Sequence, residues 1–112
     1  MSISCEGYIG YTITLKTNLT EKDFDFFHNA SETIDFPDRV QLIIDGMCGN
    51  YARLICVDEV FECWVDGKEY FSLKGPQLNE EIYEKLNQVY KEMYHQELER
   101  EKIEYGLSFH FY

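Results

Sequence analysis

Between residues 8 and 16 apolar and polar positions alternate. Ile9, Tyr11, Ile13 and Leu15 share one side, and Gly10, Thr12, Thr14 and Lys16 the other. A period of two predicts a strand. The pattern changes at Leu19-Thr20-Glu21-Lys22-Asp23-Phe24. Thr20 is a favourable N-cap, Asp23 stands where a capping-box acid belongs, and Leu19 and Phe24 are placed for a hydrophobic staple. A short helix over about 21–31 is expected, burying Phe24, Phe27 and Ala30.

Pro37 and Asp38 interrupt the chain, and its middle then reads as four strands, Val40–Ile44, Tyr51–Val57, Val60–Val65 and Glu69–Leu73. A turn is expected from Gly46 to Asn50. Asp66-Gly67 is the dipeptide favoured by a type I′ hairpin, because both central positions need positive φ. Gly75-Pro76 closes this stretch and Asn79 caps a long helix expected over 79–104, with Glu80 and Glu81 suited to its dipole. Ile82, Leu86, Val89 and Met93 form its core stripe. Gln96, Glu97 and Arg100 then occupy the same angular position, so the last two turns are expected to project beyond the core. Tyr83, Tyr90, Tyr94 and Leu98 flank the stripe, an arrangement that suits either burial in a corner or docking of a partner, including a second copy of the chain. Gly106 is expected to break the helix before a strand in which Leu107, Phe109 and Phe111 alternate.

The expected order is β-α-β-β-β-β-α-β. This is an α+β fold with a mainly antiparallel sheet of about five to six strands and one short and one long helix packed on one face. Residues 1–112 suit a single domain. With 45% apolar and 16% aromatic residues the chain can build a core and is not a disordered acidic tail.

Recognised chemistry is sparse. Cys5, Cys48, Cys56 and Cys63 contain no C-x-x-C pair, so no zinc site is expected, and four free thiols in a reducing cytoplasm are the default. No basic, apolar-cored leader opens the sequence, no apolar run is long enough to span a membrane, and the sequons at Asn18 and Asn29 are read as chance. Neither nucleotide-binding glycine loop occurs, nor a calcium loop, so no cofactor or metal is expected. Of His28, His95 and His110, only His110 sits in an expected strand where it can face Cys56 or Cys63. A Cys in a sheet is more often a small buried hydrophobe than a nucleophile, so catalytic residues are not assigned and no enzyme is expected. Carboxylate pairs such as Asp35 with Asp38 arise readily by chance in so acidic a chain.

Charge is the feature that stands out: 21 acidic against 10 basic residues, a net of −11. The pI of about 4.5 argues against direct binding of nucleic acid or anionic lipid and favours cationic partners. Residues 21–38 hold six acids, Glu21, Asp23, Asp25, Glu32, Asp35 and Asp38, against Lys22 alone. Residues 79–104 hold eight against four bases, and 39–74 hold six against four. The first cluster is thus the expected partner-binding edge, with Tyr83, Tyr90 and Tyr94 as aromatic anchors. The expected function is non-enzymatic inhibition of a basic, nucleic-acid-handling protein, such as a nuclease, by occlusion of its cationic surface. Phage-type anti-CRISPR or anti-restriction inhibitors work on this principle, as do immunity proteins and antitoxins that neutralise a cognate toxin. No motif ties the chain to either group. The competing readings are an acidic structural or regulatory domain whose charge serves only solubility, and a small Cys/His enzyme.

Overall fold

The computed structural model describes residues 4–45, 49–64, 70–72 and 75–111. The elements are β1 (Ser4–Thr17), α1 (Glu21–Thr33), β2 (Val40–Ile44), β3 (Tyr51–Trp64), β4 (Tyr70–Ser72), α2 (Glu80–Tyr94), a 3₁₀ turn (Arg100–Lys102) and β5 (Glu104–Phe111). The strands form one antiparallel sheet in the order β2-β3-β1-β5-β4. The class is α+β, as the sequence pattern predicts.

Two of the four expected middle strands are one. β3 runs unbroken for 14 residues because Asp58-Glu59, which reads as a break, is a bulge. Ile9 pairs with Glu59 while Gly10 pairs with Val57, so Asp58 is the extra residue. Gly10 is required opposite it, since a Cβ there would lie 2.0 Å from the Cys56 carbonyl oxygen. The described order is therefore β-α-β-β-β-α-β, in place of the expected six-strand order. The Asp66-Gly67 turn lies outside the described residues, as do Gly46, Met47 and Cys48. Among the described residues Tyr70–Ser72 of β4 pairs with β5 and not with β3.

Alternation along the strands divides the side chains between two faces. Tyr11, Ile13, Val40, Ala52, Leu54 and Cys56 join Phe27 and Ala30 of α1 and Leu86, Val89 and Met93 of α2 in the larger core. Both helices thus cover the same face. Full burial of side chains such as Leu86 and Val89 contributes about 1.5–3 kcal/mol each. The opposite face carries a second cluster, Tyr8, Ile43, Tyr51, Ile55 and Val57. Arg53 is buried beside it, with its guanidinium 4.0 Å from the Tyr51 ring centre and its Nη1 donating to Ser108 Oγ at 3.4 Å.

The second helix departs most from expectation. It ends at Tyr94, fifteen residues long, where His95 takes the left-handed conformation at φ 58°. The chain then doubles back along the helix instead of projecting. Leu98 is 2% exposed, its N–H donates to Asn87 Oδ1 at 2.8 Å, and its carbonyl accepts from Tyr83 Oη at 2.7 Å. Arg100 reaches the first turn of α2 and donates to both carboxylate oxygens of Glu80 at 2.7 and 2.6 Å. Leu98 drives the reversal: on a continuing helix it would sit beyond the sheet, and folded back it is buried. Gly106, expected as the helix breaker, instead lies within β5, paired with Gly10.

Candidate functional site

The first helix is built as its local sequence dictates. Thr20 caps it in an extended conformation, and Asp23 closes the capping box: the Thr20 N–H donates to Asp23 Oδ2 at 2.8 Å and the Asp23 N–H to Thr20 Oγ1 at 3.3 Å. Lys16 Nζ adds an ion pair to Asp23 Oδ1 at 2.8 Å. The bond from Lys16 and the Thr20 backbone bond hold the Asp23 carboxyl down at about 2. Asp23 is therefore committed to the fold.

The remaining acids of this segment are exposed. At 100° per residue Glu21, Asp25 and Glu32 fall within about 40° of one another, on the side of α1 turned away from Phe27 and Ala30. Among the described residues no ion pair engages Glu21, Asp25, Glu32, Asp35 or Asp38. The second helix differs: Glu81 pairs with Lys85 and Glu80 with Arg100, while Glu97 beyond it pairs with Lys91.

These acids do not form one cluster. The Leu19 N–H binds the Gly49 carbonyl, near the start of β3, whereas the Arg39 carbonyl accepts from Val57, six residues further along that strand. At about 3.3 Å per residue the two ends of the segment are roughly 20 Å apart, well beyond a Debye length of about 8 Å. The structure spreads these acids along α1: Glu21 and Asp25 stand on its first two turns, Glu32 stands on the same side at its last turn, about 16 Å from Glu21, and Asp35 and Asp38 lie beyond its end.

The three tyrosines are partly buried, packed against the larger core. Tyr83 holds the folded-back segment through Leu98, and the Arg100 guanidinium lies 3.9 Å over its ring. Tyr94 packs between Tyr90 and Phe26, at 4.8 and 5.6 Å between ring centres. Burial, and then the neighbouring Tyr90, push the Tyr94 hydroxyl up to about 12. Among the described residues the exposed aromatic is Phe26 on α1, at 40%. Helical phase assigns Phe27 to the core and leaves Phe26 at the margin of the buried side, where its exposure depends on how Tyr94 packs beside it.

Asp38 lines a groove of about 460 Å³ between the start of β2, β3 and the first turns of α2, together with Arg39, Cys56, Asp58, Glu81 and Lys85. Arg39 is left-handed at φ 70°, and its carbonyl accepts from the Val57 N–H at 2.8 Å. Beside the groove, the bulged Asp58 accepts from Tyr105 Oη at 3.0 Å, Tyr105 packs edge-on to Tyr11 at 5.0 Å, and Tyr11 Oη donates to the Pro76 carbonyl at 2.6 Å. Gly75 is needed here, since a Cβ would fall 2.1 Å from the Tyr105 ring. This tyrosine clasp was hidden in the sequence because Asp58 read as a turn residue.

Cys56 is 4% exposed, and burial, only partly offset by Lys85, pushes its thiol up. A protonated thiol is a poor nucleophile, and among the described residues no histidine lines this groove. His28 stacks on Phe24, and His95 ends α2. The register sets His110 opposite Glu6 and Cys63 opposite Cys5, one position along the ladder, so His110 faces neither Cys56 nor Cys63 across a strand pair. Among the described residues no group of His, Cys, Asp and Glu is arranged to hold a metal ion, and no helix is long and apolar enough to cross a membrane. No family model, curated protein or solved structure matches this chain, so its own residues carry the functional reading.

Proposed function

We propose that this is a non-enzymatic binding protein that lays the outer face of α1 against a basic, nucleic-acid-handling protein and inhibits it by covering its cationic surface. The observation that carries the reading is the row of Glu21, Asp25 and Glu32, three exposed carboxylates that among the described residues make no ion pair, on one side of a helix closed by a capping box. Carboxylates in fixed array build a potential that speeds association with a cationic cleft. Phe26, about 100–140° around α1 from these acids, offers an apolar contact at the margin of that surface. The acids near α2 suit this role less, because Glu80, Glu81 and Glu97 are engaged by Arg100, Lys85 and Lys91.

The test is capture from a lysate at low salt, repeated at high salt, with identification of the bound protein. The expected result is a basic nuclease or other nucleic-acid-binding protein that is retained at low salt and lost at high salt. The triple variant Glu21→Lys, Asp25→Lys, Glu32→Lys should lose it. Asp23 is left intact, since its removal would damage the helix cap. Undiminished capture by the triple variant would remove the row from the mechanism.

A further inference from the structure

The ladder between β1 and β3 continues to the end of both strands, with Ser4 opposite Trp64 and Cys5 opposite Cys63. Two cysteines far apart in sequence thus occupy directly facing positions. Facing positions of an antiparallel pair share a face of the sheet. Their Cα atoms lie about 4.5 or 5.5 Å apart, depending on whether the pair is hydrogen-bonded. Disulfides join Cα atoms about 4.4–6.8 Å apart. Either spacing falls in this range, so the backbone register is compatible with the bond.

We propose that Cys5 and Cys63 form a cross-strand disulfide by exchange with a low-molecular-weight disulfide, making this end of the sheet a redox-set clasp. The thiolate of one cysteine attacks the small disulfide, forming a mixed disulfide and releasing one small thiolate. The second protein thiolate attacks the protein-bound sulfur and releases the other. Two protein thiols are oxidised to one disulfide, the small disulfide is reduced to two thiols, and the protons of the protein thiols pass to the products.

The position in the ladder favours this chemistry. The pair is next to the last one described, and ladder ends open more readily than ladder centres, which admits the reagent. On its other side β1 places Phe111 of β5 opposite Cys5, so the clasp lies where the three middle strands meet. Closing the chain from residue 5 to residue 63 also restricts the unfolded state, and the oxidised protein gains stability. Cys56 stands apart: it pairs in register with Tyr11, is buried, and has its thiol pushed up.

The experiment uses the full chain incubated with glutathione disulfide under native conditions, alkylated, digested without reductant and examined by mass spectrometry. The expected result is a linked peptide joining Cys5 to Cys63, with the protein lighter by two hydrogens. The thermal midpoint should rise and return on addition of dithiothreitol. Cys5→Ser and Cys63→Ser should each abolish the linkage and the rise, and Cys56→Ala should keep both. Stable glutathione adducts without linkage, a linkage through Cys48 or Cys56, or an unchanged rise in Cys5→Ser would each overturn the proposal.

Discussion

Replacing Leu98 by alanine separates two descriptions of the chain beyond Tyr94. In the structure Leu98 is 2% exposed, packed with the core beneath α2 and tethered through both of its backbone polar groups. Truncating a fully buried Leu removes its transfer free energy and leaves a cavity, a loss of about 2.7–5.0 kcal/mol. The lower end applies, because a segment outside regular structure collapses more readily than a helix, so about 3 kcal/mol is expected. With an unfolding entropy of roughly 2.1 cal/mol/K per residue, that loss lowers the thermal midpoint by about 13 °C. Had residues 79–104 formed one projecting helix, position 98 would lie on it beyond the sheet. The same change would then stay within about 0.5 kcal/mol, since alanine is the better helix former. The assay is thermal and urea denaturation followed by circular dichroism. Tyr83→Phe should behave as a neighbour of Leu98: alone it removes one hydrogen bond worth about 1 kcal/mol, and combined with Leu98→Ala the two losses should fail to add by more than about 0.5 kcal/mol. A midpoint drop below about 3 °C, or strict additivity, would refute the fold-back.

Two further outcomes follow from local geometry. The Asp23 carboxyl is held at about 2 by Lys16 and Thr20, below its ordinary value near 3.8. Its contribution is therefore complete above about pH 4 and lost as pH falls towards about 2, so Asp23→Asn should flatten the pH dependence of the urea midpoint across that window; an unchanged slope would mean that the capping box does not form in solution. Gly10→Ala should lower stability by about 3 kcal/mol or more, because a Cβ meets the Cys56 carbonyl at 2.0 Å and that atom is backbone. A urea midpoint close to that of the parent would show that β1 and β3 do not approach so closely at the bulge.

The charge distribution shows how a linear count can mislead. Six acids between residues 21 and 38 look like one patch. Folding assigns them different situations. Asp23 becomes a cap and an ion pair, Glu21, Asp25 and Glu32 line one side of α1 over a rise of about 16 Å, Asp35 stays exposed beyond the helix, and Asp38 lines the groove roughly 20 Å from the start of α1. Net charge in a window is a property of sequence, but potential at a surface depends on distances that the window does not contain.

Elements decided by neighbours in sequence were legible without a structure. The strand at residues 8–16, the capping box of Thr20 and Asp23, the Asn79 cap and the Ile82, Leu86, Val89 and Met93 stripe all rest on interactions within a few residues. So did the α+β class, which follows from the order of such elements. What needed the tertiary structure was every choice between two locally acceptable states. Asp58-Glu59 suits a turn as well as a bulge, and only the approach of Gly10 selects the bulge. Residues 95–103 suit a further helix, and only the burial of Leu98 under Tyr83 and Asn87 turns them back. The facing of Cys5 and Cys63 depends on register, which is set across the whole length of two strands and leaves no mark near either cysteine. Local free energies proposed the elements, and long-range packing decided between alternatives that differ locally by about 1 kcal/mol or less.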